Sequence, residues 1–92
     1  MGRIRLDDGF FRSRWDRATP SERRLLVAMA EDHDQWSSTS EVADRLGMKP
    51  TSLSPYRAKL IAKGIVYSPE HGQIAYTVPG MAQFVLRRRE DA

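Results

Sequence analysis

Cysteine is absent from the 92-residue chain, which excludes a disulfide framework, a thiol nucleophile and any metal site built on thiolates. Histidine is scarce. His33 and His71 lie far apart, and neither forms a helical i, i+4 pair with another ligand, so both are expected to be exposed loop residues, with no metal bound. Long apolar runs are missing as well. No stretch approaches the roughly 18 residues of a membrane span. The segment Met1 to Phe11 has two arginines but neither the apolar core nor the small-residue cleavage site of a secretory leader. The expectation is a cytoplasmic protein with no membrane partner. Also absent are a G-x-x-x-x-G-K-[ST] phosphate loop, a serine framed as a nucleophile elbow and paired carboxylates in an apolar setting. These absences point away from an enzyme and from any cofactor.

What remains is ordinary for one soluble domain: 40% hydrophobic and 29% charged residues. Net charge is only +3, but it is unevenly placed. Residues 1–46 hold 8 basic and 9 acidic side chains, whereas residues 47–92 hold 7 and 3. Between Arg45 and Glu70 there are four cations, Lys49, Arg57, Lys59 and Lys63, and no carboxylate. A phosphate-facing surface leaves that signature.

Caps, prolines and glycines divide the chain. Residues 9–17 carry Phe10, Phe11 and Trp15, with Phe11 and Trp15 on one face of a short helix. Thr19-Pro20-Ser21-Glu22 is a capping box with proline at the first helical position, and Leu25, Leu26, Met29 and Ala30 continue that helix. Trp36 begins a short extended segment. Ser38-Thr39-Ser40-Glu41 reads as a second capping box, followed by Val42, Ala43 and Leu46 and by Gly47 at a left-handed stop. A third helix carries Leu53, Tyr56, Leu60 and Ile61 and ends near Gly64, so two helices flank a short glycine turn. Pro55 allows that helix to begin either at Pro50 or late, with Ser54 as its N-cap. The β-prone stretches Ile65-Val66-Tyr67 and Ile74-Ala75-Tyr76-Thr77 enclose turn chemistry, which predicts a two-stranded hairpin. A last helix is expected from about Pro79, with Met81, Phe84 and Val85 inward, to Arg87-Arg88-Arg89.

The predicted class is mainly α with a small β-hairpin (α+β), a winged helix-turn-helix in a single domain. Residues 1–18 form an N-terminal helical extension, 19–64 a three-helix core, 65–78 the wing hairpin and 79–92 a C-terminal helix. The stretch Ser38 through Thr77 resembles winged-helix domains broadly, and Leu53 to Val66, with its Leu60-Ile61-Ala62-Lys63-Gly64-Ile65-Val66, resembles the recognition helix and first wing strand of MarR-type regulators. Gly9-Phe10-Phe11, Arg14-Trp15-Asp16-Arg17 and Thr19-Pro20-Ser21-Glu22-Arg23, together with Tyr67-Ser68-Pro69 and Tyr76-Thr77-Val78-Pro79, resemble the C-terminal domain of bacterial AAA-type ATP-binding proteins related to archaeal-type ATPases. That resemblance implies a nucleic-acid-binding or partner-docking appendage, with an ATPase domain of the same protein as a partner.

Stepping 100° per residue from Leu53 places Tyr56, Arg57, Leu60 and Ile61 on the buried side of the third helix and Thr51, Pro55, Ala58, Lys59 and Ala62 opposite. The expected contacts to double-stranded DNA are therefore Lys49, Thr51, Ser52, Ser54, Arg57, Lys59 and Lys63, with Arg57 either emerging to a phosphate or held in a structural ion pair. The outward positions offer no Arg, Asn or Gln for bidentate base reading, so sequence preference is expected to be weak. His71 and Gln73 are the candidate wing contacts, although the wing tip lacks Arg and Lys. The alternative is a protein-interaction or homodimerisation module that uses Phe10, Phe11 and Trp15.

Overall fold

The computed structural model describes residues 6–91. The first five residues, on which the reading of a missing leader partly rests, lie outside the described residues. Helix α1 (Leu6–Arg17) leads into α2 (Pro20–Met29), a single 3-10 turn (Ala30–Asp32) and strand β1 (Ser37–Ser38). Helices α3 (Thr39–Arg45) and α4 (Pro50–Ala62), strands β2 (Val66–Tyr67) and β3 (Gln73–Tyr76) and helix α5 (Met81–Asp91) follow. The architecture is mainly helical with one small antiparallel sheet. β3 is the central strand, with Val66 opposite Tyr76 on one side and Ser37 opposite Ile74 on the other. The expected two-stranded hairpin is thus completed to three strands by the extended segment after Trp36.

Helix α2 starts as its sequence dictates. The Thr19 side chain accepts from the Glu22 amide at 3.2 Å and the Glu22 carboxylate accepts from the Thr19 amide at 3.1 Å, so both halves of the capping box are present. The second box forms only in part. Ser38 caps the Glu41 amide at 3.4 Å, but the Glu41 carboxylate turns to Arg45 at 3.7 Å, one helical turn along. Both ends of the turn-forming helices close in the same way. After α3 the Met48 amide donates to the Ala43 carbonyl and Gly47, with φ +67°, donates to Asp44; after α4 Ile65 donates to Leu60 and Gly64, with φ +75°, to Ile61. Each is a six-to-one and five-to-two pair of hydrogen bonds whose left-handed residue favours glycine.

The core gathers one face from every helix: Leu25, Leu26 and Met29 of α2, Val42 of α3, Leu53 and Leu60 of α4, and Met81 and Val85 of α5, with Ile74 from the sheet. Tyr76 is buried among them and donates its hydroxyl to the Leu26 carbonyl at 2.7 Å, and burial holds its phenol well above the usual range. Phe11 is also buried, its ring 5.7 Å from that of Phe84, while Trp15 meets Phe84 edge-on at 6.5 Å. These contacts fasten α1 to α5. Helix α5 begins at Met81 rather than Pro79, because the Asp34 carboxylate reaches across to accept from the Gly80 and Ala82 amides at 2.9 and 3.3 Å.

Helix α4 begins at Pro50, the earlier of the two starts the sequence allows, so Pro55 lies inside it. Its ring removes the amide that would donate to the Thr51 carbonyl one turn back. Because this is the exposed side of the helix, replacing the proline costs no packing. Pro55→Ala is expected to stabilise the fold by about 1 kcal/mol or more, read as a higher urea midpoint at unchanged slope. A lower midpoint would contradict the reading of a strained first turn.

Candidate nucleic-acid interface

Where α4 begins, it faces the first residues of α3 and the loop between β2 and β3. The three together enclose a cleft of about 320 Å³ lined by Thr39, Ser40, Pro50, Thr51, Ser54, Arg57, His71 and Gly72. No carboxylate among the described residues lines it. The loop is held against α3 by the Thr39 amide, which donates to the Gly72 carbonyl at 2.9 Å. Two buried polar atoms of lining residues, Thr39 Oγ1 and Arg57 Nε, have no hydrogen-bond partner. Leaving such groups unmet costs on the order of 1–3 kcal/mol each, so the cleft is chemically incomplete as a closed structure.

The sequence-derived residues divide into three groups. Thr51, Ser54, Arg57 and His71 share the cleft. Ser54 also donates its hydroxyl to the Pro50 carbonyl at 3.3 Å, leaving its lone pairs outward. Lys49, Ser52 and Lys59 are exposed around it, with Pro55, Ala58 and Ala62 as the small outward side chains between. Lys49 is the N-cap of α4 but provides no side-chain cap, so the positive end of the helix dipole and an ammonium lie together. Gln73 is half-buried within β3, opposite Ser38, and lies outside the cleft lining.

Lys63 is placed differently from expectation. Its ammonium donates to Glu22 Oε1 at 2.7 Å and to the Arg17 carbonyl at 2.8 Å, while the Arg17 guanidinium returns a bond to the Lys63 carbonyl at 3.1 Å. Its charge is spent inside the protein. Lys63 is at the C-cap of α4, where the chain bends back toward α1 and α2, and a projection at roughly 100° per residue puts it at the edge of the buried face rather than on the outward one. Arg57 takes the opposite course: among the described residues it makes no ion pair, so the structural-pair option falls away.

The aromatic residues do not form one exposed strip. Phe10 is 45% exposed beneath the stacked Arg14 guanidinium at 3.9 Å, whereas Phe11 is buried and Trp15 half-buried. Sequence reasoning used Thr39 and Ser40 only as capping residues and missed them as cleft residues. The available signal was a run of three hydroxyls, Ser38-Thr39-Ser40, where one cap needs a single hydroxyl.

Comparison with protein families adds one finding: the model of a domain of unknown function (DUF8462) matches residues 8–85. The chain belongs to that family. The DUF8462 match runs from α1 into α5 and includes every residue of the cleft. No curated protein and no solved structure matches the chain.

The pairing of Lys63 with Glu22 has measurable consequences. Glu22 is only 1% exposed. Burial opposes its ionisation, but the hydrogen bonds from Lys63 and the Thr19 amide and the charges of Lys63 and Lys59 prevail, holding the carboxyl below its usual range. Lys63→Met leaves that carboxylate without its partner and is expected to cost roughly 2–4 kcal/mol in denaturant melts, the lower part of the usual range because Lys63 keeps some access to water. Adding Glu22→Gln should recover much of the loss; no recovery would mean that the lysine acts through packing alone.

Asp32 is a second such carboxylate. The Arg45 guanidinium grips it with bonds of 2.8 and 3.0 Å, and this bond, opposed by burial and aided by Ser37, keeps its carboxyl below the usual range. Both depressed groups bind protons more readily when unfolded, so the stability they supply is complete above the unfolded carboxyl range and falls as pH drops through the folded values. The thermal midpoint is therefore expected to be flat from about pH 7 to 5 and to fall below about pH 4. A midpoint that rises on acidification would refute the assignment.

Proposed function

We propose that this DUF8462 chain is a winged-helix DNA-binding domain that docks on duplex DNA through phosphate contacts, with little sequence preference of its own. The observation that carries the reading is the polar cleft at the start of α4, where Thr39, Thr51 and Arg57 supply donors with no carboxylate among the lining residues. A phosphate oxygen is the acceptor such a set lacks. The element order supports it: α2, α3 and α4 precede a hairpin whose loop returns to α4, which is the arrangement of a helix-turn-helix followed by a wing. In this reading α4 is the helix that approaches the duplex, Lys49 and Lys59 reach flanking phosphates, and His71 contributes from the wing. Its small outward residues, Ala58 and Ala62, allow close approach. The domain binds rather than catalyses and acts in the cytoplasm. The resemblance to the C-terminal domains of AAA-type ATP-binding proteins would give it an ATPase domain as a partner.

With Lys63 committed to Glu22, three cations remain for phosphates: Lys49, Arg57 and Lys59. Counterion release then predicts that log affinity falls with log salt at a slope of about −2.7. The measurement is fluorescence anisotropy of a labelled generic duplex across a salt series. Lys49→Gln/Lys59→Gln is expected to flatten the slope to about −0.9, with only a small fall in melting temperature from the lost Lys59 charge near Glu22. An affinity independent of salt, or a slope unchanged in that variant, would exclude α4 as the docking surface.

A further inference from the structure

A second concave surface lies apart from the cleft. It is a groove of about 430 Å³ with an apolar floor of Trp15, Val27 and Leu46, contributed by α1, α2 and the C-cap of α3, and a rim that includes Arg24 of α2 and Arg88 and Arg89 of α5. None of the phosphate-contact residues proposed above lines it.

The arginines around this groove are of two kinds. Arg45 is consumed by Asp32, with Glu31 and Glu41 nearby at 3.6 and 3.7 Å, and Arg23 donates to the Trp15 carbonyl at 3.0 Å and lies near Asp16. Arg24, Arg88 and Arg89 have no carboxylate partner among the described residues. Arg88 stacks on Phe84 at 5.1 Å, and its Nε is buried with no acceptor among the described residues. Glu31, the one carboxylate on the lining, is already beside Arg45.

We propose that this groove receives a segment of a partner protein in which an aromatic or leucine side chain is flanked by aspartates or glutamates. The floor accepts one large apolar side chain and releases its water. The rim matches carboxylates in sign and geometry, because guanidinium groups hold carboxylate oxygens two at a time and Arg is favoured at interface anchors. A nucleic-acid backbone would satisfy the arginines but leave the indole and the two aliphatic side chains uncovered. An uncharged apolar segment would cover the floor but bury part of the rim unpaired. Only a segment with both features answers both. Because the two surfaces share no residue, the protein can hold DNA and partner together, as an adaptor does.

The test is selection of a random dodecapeptide display library on the whole chain, followed by titration of an enriched peptide. The expected consensus is an aromatic or leucine with at least two Asp or Glu within four positions. The chain has two tryptophans, so Trp36→Phe leaves Trp15 as the sole indole, and its emission should shift and saturate as the peptide binds. Arg24→Glu/Arg89→Glu, both at exposed positions, should weaken that binding at least tenfold at an unchanged melting temperature, while Lys49→Gln/Lys59→Gln leaves it intact. A consensus without carboxylates, a silent Trp15 or undiminished binding to the arginine variant would each overturn the proposal. Failure of the unaltered chain to bind duplex DNA, with peptide binding intact, would overturn only the reading of α4.

Discussion

The buried carboxylate of Glu22 has to be satisfied, because an unpaired charge at 1% exposure is among the costliest features a small domain can carry. Three groups answer it: the Thr19 amide, the Lys63 ammonium and, at longer range, the charge of Lys59. The bond to Lys63 joins the first turn of α2 to the C-cap of α4, and Lys63 in turn holds the end of α1 through the Arg17 carbonyl. One ion pair therefore fixes three helix ends. With its C-terminal end fixed there and its core face held by Leu53 and Leu60, α4 has little freedom to roll. The exposure of Lys49, Ser52 and Lys59 follows from that constraint.

Much of the fold was legible because its signals are local. Thr19 and Glu22 are three residues apart, Gly47 and Gly64 stop their helices within one turn, and the spacing of Leu53 and Leu60 encodes a buried face. The errors occur where a residue's partner is distant in sequence. Lys63 is at the edge of the buried face in a regular projection of α4, but nothing nearby signals Glu22, 41 positions earlier. Asp34 similarly caps α5 from 46 positions away, which moves the start of that helix beyond Pro79. The second capping box forms only in part because Glu41 is drawn to Arg45, itself anchored to Asp32 on the other side of β1. The candidate site shows the same pattern: its α4 members were readable from periodicity, whereas Thr39 joins them only because β1 pairs with β3 and brings α3 to the loop.

Charge counts are a poor guide to surfaces in this protein. Arg17, Arg23, Arg45 and Lys63 all donate to backbone carbonyls, and three of them also meet carboxylates. They act as internal ties. Among the cations left over, Lys49 and Lys59 lie with Arg57 and hydroxyls around α4, whereas Arg24, Arg88 and Arg89 lie by an apolar floor between α2 and α5. Lysine suits a diffuse field of phosphates, while the planar guanidinium suits directed carboxylates beside apolar groups. The nearly neutral N-terminal half and the basic C-terminal half thus conceal a division that runs between faces of the fold.

Pro55 connects local strain to the proposed interface. A proline inside a helix leaves the carbonyl one turn earlier without its donor, and in α4 that carbonyl belongs to Thr51, a cleft residue. The carbonyl lies on the exposed side, so water can replace the missing bond and the cost stays below that of a buried helix interior. In return the ring fixes one backbone torsion and narrows the conformations of the residue before it, Ser54, which is also a cleft residue. A rigid first turn keeps the Thr51 hydroxyl in place before any anion arrives, and binding then loses less conformational entropy. Preorganisation of this kind is useful only on a surface that meets something, and Pro55 lies on the face where the lysines are exposed and the donors of the cleft lack acceptors.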